Sequence, residues 1–81
     1  MWPDVARVLT DDAAREIALG RYRAMGYKPD DFARSPKARS AMCDCLSRAE
    51  DALEFRRPSD TRNRTMGAIR TVRRCLEREL G

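Results

Sequence analysis

Arginines near the end of the sequence have the clearest chemical potential. Arg70, Arg74 and Arg78 recur at every fourth position, so on a helix they form one stripe. A guanidinium donates paired hydrogen bonds to a carboxylate or a phosphate, whereas a lysine acts as a point charge. We therefore predict a docking face on the last helix. The predicted partner-binding residues are Arg57, Arg62, Arg64, Arg70, Arg74 and Arg78.

The charge distribution indicates an anionic partner for this stripe. The net charge is +4, but residues 56–81 hold eight arginines against three acids. Such a segment suits nucleic acid, or an acidic or nucleic-acid-binding protein surface. The simpler interpretation is a solvated face, since arginines near a helix C-terminus are favoured by the helix dipole.

Nucleic acid is the alternative partner, and the sequence argues both ways. The calculated pI of 9.4 and the stripe favour it. No aromatic residue interleaves with the arginines to stack on single-stranded bases. The final connection is too poor in glycine for a helix-turn-helix motif. Asn63 and Thr65, at the start of the last helix, are the candidates for base contacts.

The three cysteines indicate neither a metal site nor a disulfide framework. Cys43 and Cys45 are two residues apart, so on a helix they point about 200° away from each other. There is no histidine to complete a zinc site. We predict that Cys45 lies in the core and that Cys43 is exposed. Cys43 or Cys75 is the candidate for an intermolecular disulfide in a homodimer.

Catalytic machinery is not evident, and we expect neither enzyme activity nor a cofactor. The commonest general base, histidine, is absent. No nucleophile elbow, phosphate-binding glycine loop or zinc-protease motif occurs. The acid pairs Asp11-Asp12 and Asp30-Asp31 are typical of helix caps and solvated turns.

The elements that position the arginine stripe are three long helices. Their starts are marked by the capping side chains of Thr10-Asp11-Asp12, Ser35-Pro36 and Ser59-Asp60, and Pro36 also suits the first turn of the second helix. A short helical turn over residues 3–9, beginning at Pro3, precedes them. Short connections favour antiparallel neighbours, so the sequence predicts an all-α, up-down-up three-helix bundle.

Helical spacing also predicts the core of each long helix. The first has Ala14, Ile17, Ala18, Arg21 and Met25 on one face. The second has Ala38, Ala41, Met42, Cys45, Ala49, Ala52 and Leu53, with Leu46 at the edge. The third has Ile69, Val72, Leu76 and Leu80, with Met66 at the edge.

The first long helix has a well-marked end. Gly26 suits the left-handed residue past the helix, and Tyr27 can then pack back on Tyr22. Residues 28–34 are predicted as a loop whose Phe32 fills the core.

Residues 1–81 are expected to form one domain. The start of the chain lacks the features of a secretory signal, and no run approaches the roughly 20 apolar residues that span a membrane. We therefore expect a cytoplasmic protein. A chain of this size has a thin core, which favours oligomerisation or docking on a larger partner.

Residues 12–55 resemble small helical proteins encoded by phages and prophages. The resemblance rests on Ala14-Arg15-Glu16-Ile17-Ala18, Tyr22-Arg23-Ala24-Met25-Gly26, Phe32 and Arg48-Ala49-Glu50-Asp51-Ala52-Leu53. It implies an Ala/Arg helix ending in an aromatic residue, an acidic loop and a second Ala/Arg helix. The basic last helix lies outside this pattern.

Anti-CRISPR proteins are one class among such phage proteins, and this chain resembles them in size and in lacking catalytic residues. The resemblance implies a stoichiometric inhibitor of a host defence complex, such as a CRISPR effector. Because this chain is not acidic, it would not mimic DNA. It would use its arginines on an acidic protein patch and block the entry of target DNA.

Overall fold

The computed structural model describes the backbone of residues 4–80 and the side chains of residues 4–78. This part of the chain contains five helices and no strand, which confirms the all-α class. The helices are α1 (Val5–Val8), α2 (residues 12–24), α3 (Asp31–Arg34), α4 (Pro36–Glu54) and α5 (Asp60–Leu80). The three long helices are those predicted, but α3 is an additional short helix in the segment predicted as a loop. Pro3 and the side chain of Leu80 lie outside the described residues.

Side-chain caps fix the starts of the three long helices. Each cap satisfies a backbone N–H group that has no partner within the helix. The bonds run from Ala14 N to Asp11 Oδ1 at 3.0 Å, from Ala38 N to Ser35 Oγ at 3.3 Å and from Arg62 N to Ser59 Oγ at 3.1 Å. The starts predicted from the sequence are therefore confirmed.

α2 is interrupted by a π-helical segment, Glu16–Gly20. A π turn inserts one extra residue and rotates the following side chains around the helix axis. Tyr22 is consequently fully buried, whereas Met25 is 45% exposed. Arg21 is exposed as well. The predicted placement of Arg21 and Met25 on the core face was wrong, because the 3.6-residue period takes no account of this insertion.

The end of α2 follows the sequence prediction. Gly26 has a φ of 95°, a left-handed conformation that other residues rarely adopt. This turn brings the ring of Tyr27 onto that of Tyr22, with 5.4 Å between the ring centroids. The Tyr22 hydroxyl donates a hydrogen bond to the carbonyl of Lys28 at 2.9 Å. Burial raises the pKa of Tyr22 and keeps it a neutral donor.

The central helix is α4, which packs against α2, α3 and α5. Leu53 contacts Arg62 while Ser47 contacts Arg73, so α4 and α5 are antiparallel. Leu46 and Met66, predicted at the edges of their stripes, are buried. Phe32 is buried as predicted.

An ion pair ties the start of α2 to the end of α4. Arg56 Nη1 donates to both carboxylate oxygens of Asp11 at 2.9 Å. The hydrogen bond from Arg56, and then that from the Ala14 backbone, lower the pKa of Asp11 below its ordinary value of 3.8. A carboxylate with a lowered pKa contributes stability above its ordinary pKa, and this contribution is lost as the pH falls through the lowered value.

Asp11→Asn should reduce stability at pH 7 and flatten the loss of stability in acid. Asparagine retains the capping function, so the change isolates the interaction with Arg56. Because Arg56 is about half exposed, we expect a loss of about 0.5–1.5 kcal/mol. Urea unfolding between pH 7 and pH 2 measures both effects. Asp12→Asn, at an exposed site, is the control, and equal profiles for the two variants would contradict the assignment.

Candidate docking surface

One face of α5 carries three exposed arginines in a row. Arg64, Arg74 and Arg78 project on the same side of the helix, away from its buried residues, and are called the basic face below. Arg78 follows Arg64 by fourteen positions, which correspond to about 21 Å along the axis. No acid occurs between residues 61 and 76. The exposed Gly67 and Thr71 lie between the arginines.

Among the described side chains, the guanidinium groups of the basic face have no internal partner. Within residues 4–78, Arg64, Arg74 and Arg78 make no side-chain hydrogen bond or salt bridge. The same holds for the exposed Arg57 in the turn between α4 and α5. These four predicted residues therefore present their charge to solvent, where it can meet an external anion.

Arg70 is also exposed, with 55% of its side chain accessible, but its guanidinium already has an internal partner. Its Nε lies 2.6 Å from Glu50 Oε2, and Arg73 Nη1 lies 2.7 Å from Glu50 Oε1. The Glu50 side chain is only 9% exposed. Arg73 Nη1 also donates to Ser47 Oγ at 3.0 Å. We call Glu50, Arg70 and Arg73 the Glu50 clamp, since together they join α4 to α5.

The sequence prediction did not single out Glu50 or Arg73. The signal for Glu50 was present, because it lies one turn from Leu46 and beside Ala49 on the buried side of α4. A buried acid requires a charged partner. Which residue acts as this partner depends on how α4 and α5 are aligned. Helical spacing within α5 does not reveal that alignment.

Arg62 is also held within the chain. Its Nε donates to the carbonyl oxygen of Leu53 at 2.9 Å, and its Nη1 donates to Asn63 Oδ1 at 2.9 Å. The same carbonyl accepts a hydrogen bond from the backbone N–H of Arg56 at 3.1 Å, so Arg62 adds a second donor at the end of α4. Arg62 therefore stabilises the connection between the helices.

Thr65 does not face solvent, contrary to its candidacy for base contacts. Its side chain is fully buried, and its Oγ1 donates to the carbonyl of Thr61 at 2.8 Å. It also lies 3.2 Å from the hydroxyl of Thr10. Of the two candidate base-contacting residues, only Asn63 is exposed.

The cysteines differ from the prediction at one position. Cys45 is buried, as predicted, and all three thiols are free. Cys43 is half-buried rather than exposed, and burial raises the pKa of its thiol, so its reactive thiolate is less populated. Cys75 is half-buried as well. In the described part of the chain, no cluster of three or more Cys, Asp or Glu side chains could hold a metal ion.

Comparisons with known protein families, curated proteins and solved structures found no match to this chain. Among the described helices, none is both long and apolar enough to cross a membrane.

Glu50→Ala should destabilise the protein by about 1–3 kcal/mol, because it removes charged hydrogen bonds between α4 and α5. Asp51→Ala, at the exposed neighbouring position, should change stability by less than about 0.5 kcal/mol. Chemical unfolding of both variants measures the difference. Equal stability of the two variants would show that the Glu50 clamp does not hold the helices together.

Proposed function

We propose that this protein is a non-enzymatic binding protein that docks through the basic face on an acidic surface of a larger protein complex. One observation supports the proposal: Arg64, Arg74 and Arg78 are exposed along one helix side and have no partner among residues 4–78. Arginine is enriched among the residues that dominate protein interfaces, and complementary charge guides partners together. A rigid helix presents these groups without an ordering cost for the backbone.

The biological role we propose is inhibition of a host defence complex in the cytoplasm by a phage-type protein. The resemblance to small phage proteins supports this role, and anti-CRISPR proteins provide its mode of action. A protein of 81 residues can inhibit by covering a surface that its target needs, such as the entry path of target DNA. Such inhibition requires a stoichiometric complex and no chemistry.

We favour a protein surface over nucleic acid because several residues predicted to contact phosphates or bases bond within the chain or are buried. Arg62 and Arg70 already bond within the chain, which reduces the number of arginines available for phosphates. Thr65 is buried and cannot reach a base. The net charge of +4 is modest for a protein that must neutralise many phosphates.

The test is a paired comparison of two charge-reversal variants. The face variant carries Arg74→Glu and Arg78→Glu. The matched control carries Arg21→Glu and Lys37→Glu, which are exposed positions on other helices and give the same change in net charge. Arg70 is left intact, because its reversal would place a second acid against Glu50 and destabilise the fold.

Affinity capture from a nuclease-treated bacterial lysate should recover one stoichiometric complex with the wild type and the control. The face variant should lose at least tenfold in affinity for that complex, which corresponds to about 1.4 kcal/mol. The purified wild type should also inhibit the captured complex. Equal capture by both variants would contradict docking through the basic face. Loss of every partner on nuclease treatment, with affinity falling steeply as salt increases, would identify nucleic acid as the ligand.

A further inference from the structure

Phe55, directly after α4, is the most exposed large apolar side chain in the described part of the chain. It is 92% exposed, and Met25, at 45%, is the other exposed side chain of this kind. Arg57, also exposed and without an internal partner, lies two residues further on. Together they present an aromatic ring with a positive charge beside it, a combination enriched at the centres of protein interfaces.

A pocket of about 360 Å³ opens elsewhere on the molecule, between α1, α2, α3 and α4. Val5, Leu19 and Phe32 contribute apolar side chains to its lining. Its volume falls within the range of about 300–1,000 Å³ that is usual for sites enclosing an organic group. The pocket therefore suits an apolar group of the size of an aromatic side chain.

The charged residues around the pocket complement Arg57. Asp4 and Asp30 contribute two carboxylates to the lining, against one guanidinium from Arg23. Asp30 pairs only loosely with Arg34, at 3.8 Å and in solvent. Asp4 Oδ1 caps α1 by accepting from the backbone N–H of Arg7 at 3.3 Å. A cation that arrives beside an inserted ring would therefore share Asp4 with this cap and Asp30 with Arg34.

Phe55 cannot reach the pocket of its own chain. Met42 lines the pocket, and Phe55 lies thirteen positions further along the chain, about 20 Å away along α4. Occupation of the pocket by Phe55 therefore requires a second copy of the chain.

We propose that Phe55 of one copy inserts into this pocket of a second copy, with Arg57 set against Asp4 and Asp30. The contact joins two unlike surfaces, so each copy offers both an anchor and a pocket. It uses neither the basic face nor the half-buried cysteines. Self-association is consequently separate from docking through the basic face, although it engages Arg57, one of the predicted partner-binding residues.

Sedimentation under reducing conditions tests this self-association. Between about 10 µM and 1 mM, the average mass of the wild type should rise with concentration. Phe55→Ala should raise the dissociation constant at least tenfold. Ala33→Phe, which fills the pocket from its lining, should have the same effect. Met25→Ala is the matched control for loss of exposed apolar surface, and it should associate like the wild type.

A mixture of the two defective variants provides the decisive result. Phe55→Ala keeps an intact pocket and Ala33→Phe keeps an intact anchor, so the mixture should form a 1:1 heterodimer although each variant alone is monomeric. Circular dichroism checks that both variants are folded. A wild type that remains monomeric at 1 mM, a Phe55→Ala variant that associates normally, or a mixture that stays monomeric would each overturn the proposal.

Discussion

Glu50 lies inside the contact between α4 and α5, where a carboxylate without partners would be costly. Arg70 and Arg73 each donate to one of its oxygens, so the charge is compensated in place. The arrangement requires α5 to sit at one rotation and one height relative to α4. We infer that this buried charge adds to the apolar contacts in favouring one packing of α5 on α4.

The orientation of α5 follows from that requirement. With Arg70 and Arg73 turned towards α4, the helix places Ile69, Val72 and Leu76 in the core. The opposite side then carries Arg64, Arg74 and Arg78, which have no internal partner in the described structure. The last helix thus divides its arginines between those bound to Glu50, of which Arg70 is still about half exposed, and those without a partner in the described residues. The second group is the one that we propose for docking.

The sequence predicted those features that depend on neighbouring residues. Ser35-Pro36 and Gly26 determine local backbone geometry, so the helix boundaries near them were readable without a structure. The role of Arg70 could not be predicted in this way, because its hydrogen-bond acceptor lies twenty residues away on another helix. The π segment of α2 was missed for a related reason: its extra residue is compatible with the same local sequence, and packing decides whether it forms.

The exposure of Phe55 also escaped prediction. Apolar residues at the end of a helix usually fold back on the core, and nothing near Phe55 distinguishes it from such a residue. Its position depends on the turn that leads to α5, where Arg56 and Arg62 bond to neighbouring segments while Phe55 does not become covered. Packing between residues that are distant in sequence thus determines both which arginines bond within the chain and the exposure of the Phe55 ring.

The division of the arginines is tested most directly by solvent exchange of their Nε–H protons, measured by NMR. The Nε–H of Arg70, bonded to Glu50 at 2.6 Å, should exchange at least tenfold more slowly than those of Arg74 and Arg78. Glu50→Gln should remove most of this difference. Equal exchange rates for Arg70, Arg74 and Arg78 in the wild type would show that the arginines form one solvated stripe, and would contradict the central role of the Glu50 clamp.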